Sequence, residues 1–511
     1  MTQSCYVTTP IYYVNGAPHI GHAYTSIAAD AMARFKRLDG YDVLFLTGTD
    51  EHGQKVEQAA AAAGVDPQTF TDRISSDFKA MSDAMGVSYD DWIRTTEARH
   101  KRSCAELWRR IAANGDFYLG HYEGWYAVRD EAFYDEAELT LRPDGSRVAP
   151  SGAAVEWVKE PSYFFRLSAW QQRLLDFYEA NPEFIAPRSR RNEVVSFVRG
   201  GLLDLSVSRT TFNWGIPVPD APGHVMYVWL DALQNYVSAC GFPDPGAPRW
   251  RYWPADVHFV GKDIIRFHAV YWPAFLMAAG LALPKRVSSN GWWLMDGEKM
   301  SKSLGNVVEP RKLADIFGLD QLRYFLLREK PFGADGSLSH AAIITRINVD
   351  LANDLGNLAQ RSLSLVARNC GGVLPARGAL TEDDAALLAS ADALLGVVRG
   401  HFDQQTFHDG LEEVWKVVRA ANGYIDRQAP WALNRTDKAR MGVVLRVLVD
   451  TLRVVATLLQ PVMPGSMGRM LDQLGVAEDA RGFASLGVAL TEGQSLPAPQ
   501  GVFPRYVEPA A

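Results

Sequence analysis

The opening of the chain carries a strand, a helix and a second strand in close succession. A strand-like run at residues 5–9 is separated by a turn containing glycine and proline from a helical pattern. Apolar side chains in that pattern recur at spacings of four, four and three: Ile27, Ala31, Phe35 and Leu38. A second strand-like run, residues 43–47, leads to Asp50. Because strands joined through a helix lie parallel with a right-handed crossover, this opening predicts an α/β, Rossmann-like, doubly wound parallel sheet.

The pattern along the rest of the chain predicts five segments. Strand and helix alternation predicts the first half of a Rossmann-like domain in residues 1–118 and its second half in residues 224–285. Between them, short aromatic strands and turns predict an inserted connective domain in residues 119–223. Residues 286–345 hold a lysine-rich loop and a junction, and helical periodicity predicts an all-α bundle in residues 346–511. The Pro-rich stretch after about Gly487 is weakly patterned, and its structure stays open.

Composition, charge and cysteine usage exclude several classes of protein. A hydrophobic share of 47% and a charged share of 22% match soluble globular proteins and exclude a disordered chain. The formal charge of −7 repels a polyphosphate, so a nucleic acid must bind at local basic patches. No leader-like segment and no long uninterrupted apolar run occurs, which predicts a cytoplasmic protein without membrane insertion. The four cysteines lie far apart and are expected to be reduced thiols: Cys5, Cys104, Cys240 and Cys370.

Two histidines lie between the first strand and the first helix, in the tetrapeptide His19-Ile20-Gly21-His22. This is the carboxyl edge of the predicted sheet, where doubly wound folds bind ligands. A helix N-terminus attracts phosphate, and a glycine lets a nucleotide approach the backbone. Two imidazoles three residues apart can reach triphosphate oxygens, so the motif predicts an ATP site. The alternatives are ordinary turn or cap histidines, or two ligands of an incomplete metal site.

A basic loop lies far downstream, at Lys299-Met300-Ser301-Lys302-Ser303, between Gly297 and Gly305. With glycine on both sides, such a loop can close over a pyrophosphate leaving group and stabilise its charge with two ammonium groups. Basic loops are usually solvated, which is the alternative. The order of the two motifs, with a strand directly before the loop, favours the phosphate-binding role.

The pair of motifs, H-I-G-H followed by K-M-S-K-S, is the signature of class I aminoacyl-tRNA synthetases. Over essentially its whole length the chain resembles the methionyl-tRNA synthetase family. Four further segments carry this resemblance: residues 9–16, 48–53, 214–219 and 228–232. The resemblance implies a ligase that uses ATP to convert L-methionine to methionyl-adenylate. It then transfers methionine to the 3′ end of initiator and elongator tRNA(Met), in protein synthesis including initiation.

The resemblance implies a methionine pocket of nine residues. They are Ile11, Tyr13, Asp50, Trp229, Ala232, Leu233, Tyr236, Ile264 and His268. Asp50 ends a parallel strand, where a carboxylate can pair with the substrate ammonium, and the aromatic members can surround a thioether. Each sulfur–aromatic contact is worth only about 0.3–1.5 kcal/mol, so shape must contribute too. For any one of these aromatic residues taken singly, the alternative is core packing.

The resemblance also implies residues that bind ATP, which is expected as a substrate complex with Mg²⁺. They are His19, Gly21, His22, Gly261, Asp263, Lys299, Met300, Ser301, Lys302 and Ser303, and His19, His22, Lys299 and Lys302 are the catalytic ones. Gly261 and Asp263 follow a strand and open a helix, so they are expected to approach the ribose. The alternative for Asp263 is a first-turn charge that complements the helix dipole.

In the helical segment, the resemblance implies that Asn357, Arg361, Pro430 and Trp431 bind the anticodon. Flat aromatic and fork-shaped side chains suit unstacked bases. The alternatives are a solvated polar pair four residues apart on one helix and a tryptophan that anchors a loop. No appended oligomerisation module is evident, so a monomer is expected.

The chain departs from many members of the family in its inserted domain. Those members carry a zinc knuckle built from C-x-x-C pairs, whereas residues 122–140 contain no cysteine. We therefore predict no structural zinc and no metal ligands in the chain. The insertion is expected to pack on its aromatic side chains. It spans about a hundred residues, short beside hydrolytic editing modules, so a separate proofreading site is not expected.

Three other functions fit parts of the sequence. A class I synthetase for cysteine or leucine would share both motifs, but a cysteine enzyme needs zinc ligands that are not spaced here. A noncatalytic tRNA-binding paralogue would not need the intact histidines and lysines. A nucleotidyltransferase outside the synthetases would have no reason to carry the long helical segment.

Overall fold

The structure, a computed structural model, describes residues 2–130, 132–295 and 308–508, together with the backbone of residues 298 and 299. Its first part alternates strands and helices, as the opening pattern predicts. The elements are β1 (Ser4–Thr8), β2 (Tyr12–Tyr13), α1 (Ile20–Leu38), β3 (Asp42–Asp50), α2 (Gln54–Ala62), α3 (Pro67–Ala84), β4 (Asp91–Arg94) and α4 (Ala98–Ala113). Helix α1 ends where Lys36 and Arg37 occupy its last turn and Gly40 follows with a positive φ of 85°.

The middle of the chain is dominated by antiparallel strands. The elements are β5 (Phe117–Ala127), β6 (Ala132–Tyr134), β7 (Thr140–Leu141), β8 (Arg147–Val148), β9 (Glu156–Phe165), α5 (Gln171–Ala180), β10 (Ile185–Ala186), α6 (Arg188–Arg199), β11 (Leu205–Ser206), β12 (Ser208–Arg209) and β13 (Val225–Met226). A four-stranded sheet runs in the order β11-β9-β5-β6. Aromatic side chains pack on it, for example Phe133 at 3.7 Å from Tyr122 and 4.8 Å from Tyr126 between ring centroids.

Strand and helix alternation then returns. The elements are α7 (Val228–Leu233), α8 (Asn235–Ser238), β14 (Val257–Gly261), α9 (Trp272–Ala278), β15 (Val287–Asn290), β16 (Trp293–Met295), β17 (Glu298–Lys299), α10 (Pro310–Phe317), α11 (Leu319–Arg328) and β18 (Gly336–Ser337). A short π-helical segment, Phe267–Tyr271, precedes α9. Strands β17, β16 and β18 form a small separate sheet.

The central sheet has seven strands that all pair in parallel, which confirms the predicted fold class. Its order is β10-β15-β14-β1-β3-β2, and β4 also pairs with β3. Because β1 has β3 on one side and β14 on the other, the direction of winding changes at β1. The carboxyl ends of β3, β14 and β15 place Asp50, Gly261 and Asn290 on one edge of the sheet.

One strand of this sheet comes from the range predicted for the inserted domain. Ile185 and Ala186 of β10 pair with Val287 and Ser288 of β15, so residues 119–223 do not form a wholly separate body. The neighbouring helices α5 and α6 bury Leu174, Tyr178 and Val194 in the same hydrophobic core as the catalytic sheet. A two-residue strand carries too little periodic pattern to be recognised from sequence.

The last part of the structure is a helix bundle. Its helices are α12 (His340–Arg346), α13 (Asn357–Asn369), α14 (Glu382–Asp403), α15 (Phe407–Gln428), α16 (Pro430–Thr436), α17 (Lys438–Leu459) and α18 (Pro464–Gln473). A π-helical segment, Ile347–Gly356, joins α12 to α13, so the predicted boundary at residue 346 falls inside one helical run. Among the described residues only α14 is long and apolar enough to span a membrane, and this is weak evidence because α14 packs within the bundle.

The bundle packs directly on helix α1, which lies beside the central sheet. Phe35 stacks on Phe402 with ring centroids 4.3 Å apart, and Arg399 donates to both carboxylate oxygens of Asp39 at 2.9 and 2.7 Å. Deeper in the interface, the fully buried Arg323 donates to Asp30 at 2.6 Å. Helix α1 therefore connects the histidine motif at its start with the bundle at its end.

The C-terminal stretch, whose structure the sequence left open, lies along the bundle. The backbone of Leu374 accepts from Gly493 at 3.0 Å and donates to Gln494 at 2.9 Å. Farther on, Phe503 is buried and Tyr506 donates its N–H to Asn348 at 2.8 Å. These contacts join residues that lie far apart in the chain, so no local sequence pattern predicts them.

Candidate active site

A cavity of about 470 Å³ lies at the carboxyl edge of the central sheet. It is lined by all nine predicted methionine-binding residues: Ile11, Tyr13, Asp50, Trp229, Ala232, Leu233, Tyr236, Ile264 and His268. The same cavity is lined by five of the predicted ATP-binding residues: His19, Gly21, His22, Gly261 and Asp263. Residues more than two hundred positions apart in sequence thus share one cavity, next to the strand where the winding reverses.

The two motif histidines cap helix α1 and stack on each other. The Nδ1 atom of His19 accepts the N–H of Gly21, and the Nδ1 atom of His22 accepts the N–H of His19, both at 3.1 Å. Their ring centroids lie 3.8 Å apart. Since Nδ1 is the acceptor in both rings, a neutral imidazole carries its proton on Nε2, which can donate to phosphate oxygens. The cap alternative and the ATP-binding hypothesis are therefore compatible.

Gly21 is required by the stacked histidines. A Cβ atom at this position would lie 2.9 Å from Cε1 of His19, closer than real Cβ contacts. Any larger residue would push the His19 ring away from its cap position. The glycine of the motif thus has a steric role beside the one predicted for it, which is to leave room for a nucleotide.

The deep end of the cavity is formed by Tyr236 and His268, which are both almost fully buried. The Nδ1 atom of His268 lies 3.0 Å from the carbonyl oxygen of Ile264, which can only accept, so Nε2 accepts from the Tyr236 hydroxyl at 2.7 Å. Behind them, His258 stacks on Tyr236 with centroids 4.0 Å apart and hydrogen-bonds Thr8 at 2.8 Å. Tyr236 is therefore held from two sides by neutral imidazoles.

One wall of the cavity is a stacked aromatic pair. Trp229 and Phe267 have ring centroids 3.7 Å apart and an interplanar angle of 4°. Phe267 begins the π-helical segment, whose extra residue per turn aims side chains differently from a regular helix. Sequence reasoning identified Trp229 and missed Phe267, although Phe267 lies between the predicted Ile264 and His268.

Asp50 also lines the cavity, at the end of β3. Its partner in the sheet is Tyr13 of β2, so two predicted pocket residues are neighbours by strand register. The residue is buried, with 7% of its surface exposed, and it lines the cavity. A carboxylate in this position can pair with a substrate ammonium.

The part of the cavity around Gly261 and Asp263 contains groups that the sequence did not single out. Trp292 donates from Nε1 to Asp263 at 3.3 Å, and the ammonium of Lys262 lies 3.9 Å above its ring. Asn290, at the end of β15, accepts from Thr25 of helix α1 at 3.0 Å. Because doubly wound folds bind ligands at the carboxyl ends of their strands, the position of Asn290 at a strand end could have identified it from the sequence. Asp263 is exposed and hydrogen-bonded, which leaves room for the predicted contact with a ribose.

The basic loop is only partly described. The backbone of Lys299 pairs with Leu294 in strand β16, which starts at the cavity residue Trp293. The side chain of Lys299 and the whole of Met300, Ser301, Lys302 and Ser303 lie outside the described residues. Their predicted contacts with pyrophosphate stay a prediction.

Part of the connective region also reaches the cavity. Its lining includes Arg129, Asp130, Ala132, Tyr134 and Ser151. Arg129 donates to the backbone and hydroxyl oxygens of Ser151 at 2.6 and 3.0 Å. These residues were not identified from sequence, because nothing in their local pattern says which face of the insertion turns toward the catalytic sheet.

The four residues predicted to bind an anticodon lie in the bundle, outside this cavity. The guanidinium of Arg361 lies 5.4 Å from the ring centroid of Trp431 and donates to Asp426 at 2.6 Å. Trp431 is 46% exposed, and Pro430 is buried at the start of α16. Asn357 is exposed at the start of α13. The exposed tryptophan does not anchor a loop in the core, and it leaves a ring face on which a base can stack.

The burial of His268 leads to a prediction about pH. Burial lowers the pKa of His268 to about 4 from its usual 6.5, so this imidazole is neutral above about pH 5. We expect the KM for methionine to show no inflection near pH 6.5, which is checked by measuring substrate-dependent ATP–pyrophosphate exchange from pH 5.5 to 8. An inflection near 6.5 that disappears in His268→Gln would contradict the prediction.

Family models and known proteins match nearly the whole chain. The family described as "tRNA synthetases class I (M)" matches residues 5–363, and "Anticodon binding domain of methionyl tRNA ligase" matches residues 374–509. The methionine–tRNA ligase of Mesorhizobium japonicum is 58% identical over 98% of each chain. Methionyl-tRNA synthetase of Mycobacterium tuberculosis in complex with methionyl-adenylate has a TM-score of 0.96 at 57% identity, covering 99% of this chain and 100% of that one. The apo form of the tuberculosis protein has a TM-score of 0.91 at 54% identity, covering 100% of this chain and 99% of that one.

Proposed function

We propose residue roles for a chain that belongs to the methionyl-tRNA synthetase family of class I aminoacyl-tRNA synthetases. It activates L-methionine with ATP and transfers the amino acid to the 3′ end of tRNA(Met). One observation supports the roles best: a single cavity combines the histidine motif at a helix start with a slot of aromatic side chains and a carboxylate.

In the first step the methionine carboxylate attacks the α-phosphorus of ATP in line, and pyrophosphate leaves. No protein nucleophile is needed, so the chain contributes positioning and charge stabilisation. His19 and His22 donate from Nε2 to triphosphate oxygens as charge shifts, and Gly261 and Asp263 hold the ribose. Lys299 and Lys302 stabilise the departing pyrophosphate, with Met300, Ser301 and Ser303 in the same loop. ATP enters as its complex with Mg²⁺.

Methionine binds with its ammonium at Asp50 and its side chain between Trp229 and Tyr236. Ile11, Tyr13, Ala232, Leu233 and Ile264 supply the shape of the slot. The hydroxyl of Tyr236 already donates to His268, so it has no hydrogen left to offer a bound side chain. A thioether needs none, and it can contact the aromatic faces of the slot. A lysine or glutamate side chain would leave an unpaired charge there, which is costly.

In the second step the terminal adenosine of the tRNA attacks the methionyl-adenylate and releases AMP, through the 2′-hydroxyl as in class I relatives. Asn357, Arg361, Pro430 and Trp431 read the anticodon by stacking and hydrogen bonding. We assign both initiator and elongator tRNA(Met) as substrates, a cytoplasmic location, a monomer, and no structural zinc.

The decisive experiment is ATP–pyrophosphate exchange with each of the twenty amino acids. Only methionine is expected to support strong exchange. Strong exchange with leucine or cysteine would assign the site to another synthetase, and no exchange with any amino acid would indicate a noncatalytic paralogue.

Trp431→Ala is expected to lower kcat/KM for aminoacylation while methionine-dependent exchange stays close to the wild-type rate. Loss of one base-stacking platform costs about 1–3 kcal/mol, or about five- to 150-fold in kcat/KM. The matched control is Val397→Ala, because Val397 is 43% exposed on the same bundle. An equal loss in both assays would show that Trp431 serves the fold instead of the tRNA.

A further inference from the structure

We propose that Asp231 is a positioning residue for the methionine pocket, acting through a buried chain of hydrogen bonds from His52 to His100. The proposal rests on the roles proposed above for Asp50 and Trp229. Asp231 does not line the cavity. It lies two positions after Trp229 and directly before Ala232 on α7, so its side chain points away from the slot that its neighbours form.

The geometry of this chain is specific. One carboxylate oxygen of Asp231 lies 2.6 Å from Nδ1 of His52, and the other lies 2.7 Å from Nε2 of His100. The Nδ1 atom of His100 lies 3.2 Å from the Ser238 hydroxyl. All four residues are at most 2% exposed, so no water competes for these hydrogen bonds.

The hydrogen bonds join three segments of the chain behind the pocket residues. His52 follows Asp50 by two residues, His100 belongs to α4, and Asp231 belongs to α7. The carboxylate therefore links the segment that directly follows Asp50, the proposed ammonium partner, to the helix that carries Trp229 of the proposed side-chain slot. The distance between these two recognition groups decides whether one substrate can contact both.

The carboxylate of Asp231 is ionised. Burial by itself raises the pKa of this group, but the attraction of His52 and the hydrogen bonds from His100 and His52 outweigh burial, and the pKa falls to about 2. An ionised carboxylate accepts from both imidazoles at once. An amide cannot do so in the same tautomeric state, because it offers one acceptor and one donor group.

A metal site is the alternative use of this cluster, because Cys104 also lies close to His100 and Asp231. Its sulfur is 3.2 Å from Nε2 of His100 and 4.0 Å from the Asp231 carboxylate. Two donors on a tetrahedral zinc ion lie about 3.3 Å apart, whereas the imidazole–carboxylate distance of 2.7 Å is that of a hydrogen bond. Burial and the nearby Asp231 carboxylate also raise the pKa of the Cys104 thiol well above its usual range. The short imidazole–carboxylate distance therefore indicates a hydrogen-bonded cluster.

The test is Asp231→Asn, an isosteric change that forces one imidazole to change tautomer or lose its bond. We expect the KM for methionine in exchange to rise about tenfold while the KM for ATP changes less than about twofold. Ser103→Ala is the matched control, because Gln234 donates to the Ser103 hydroxyl at 2.7 Å across the same α4–α8 interface without involving Asp50. Its melting temperature is expected to fall while both KM values stay unchanged.

His52→Gln is the second variant, in case Asp231→Asn does not fold, and it should raise the KM for methionine in the same selective way. A loss of stability with unchanged KM values in both variants would overturn the proposal. Asp50→Asn, measured in parallel, distinguishes a failure of the positioning role of Asp231 from a failure of the proposed methionine site. If Asp50→Asn weakens methionine use and the other two variants do not, only the positioning role fails; if Asp50→Asn has no effect, the proposed site itself is wrong.

Discussion

Replacing Asp50 by asparagine is expected to lower kcat/KM for methionine in ATP–pyrophosphate exchange by about 150- to 5,000-fold. Asp50 is 7% exposed and lies at the end of a parallel strand inside the cavity. Its proposed partner, the ammonium of methionine, loses its water on binding, so removal of the carboxylate leaves a buried positive charge unpaired. That loss is worth about 3–5 kcal/mol in buried pairs.

The matched control for this variant lies on the same strand. Asp42 begins β3, is partly exposed and accepts from Arg251 at 2.6 Å, far from the cavity. Asp42→Asn is expected to leave exchange within about twofold of wild type, because exposed pairs contribute little. If both variants lose activity equally, the effect of Asp50 comes from the strand and not from substrate recognition.

Lys302→Ala is expected to lower kcat for methionine activation by about a hundred- to a thousandfold while the KM for methionine stays nearly unchanged. The proposed contacts of Lys302 form with the leaving pyrophosphate, whose charge grows only in the transition state. Single-turnover formation of methionyl-adenylate measures this step directly. The rate of pyrophosphorolysis of methionyl-adenylate tests the same contacts a second time, because they also form in the reverse reaction.

Lys312→Ala controls for the loss of one positive charge near the loop. Lys312 lies on α10 shortly after the loop, is largely exposed and pairs with Glu309 at 2.9 Å. It is expected to retain full activity. An unchanged adenylate rate in Lys302→Ala, or an equal loss in Lys312→Ala, would contradict the proposed role of the loop.

Much of the catalytic domain could be predicted from local patterns. The strand, helix and strand around His19 and Asp50 predict a parallel sheet. Because ligands bind at the carboxyl ends of such strands, both residues are expected at that edge of the sheet. The structure brings them together in one cavity with Trp229 and His268. Family membership, predicted from motifs at both ends of the catalytic segment, is confirmed by matches over nearly the whole chain.

The features that could not be predicted depend on contacts between distant segments. Strand β10 joins the central sheet through two residues, Phe267 meets Trp229 across a π-helical turn, and Arg129 reaches the cavity from the insertion. None of these has a periodic signature in its own segment. Asp231 was not identified from sequence for the same reason. Its neighbours Trp229 and Ala232 were recognised, but its hydrogen-bond partners, His52 and His100, lie in two other segments of the chain.

By itself, the sequence determined the parallel sheet, the helical character of the last part of the chain and the positions of the two signature motifs. These follow from side-chain periodicity, glycine placement and residue type, which act over a few neighbouring positions. Tertiary structure alone decided which faces of the insertion and of α4 turn toward the pocket, and where the last stretch of chain lies on the bundle. These arrangements depend on burial and hydrogen bonding between segments that are remote in sequence. Such interactions produce no local sequence pattern from which they could be predicted.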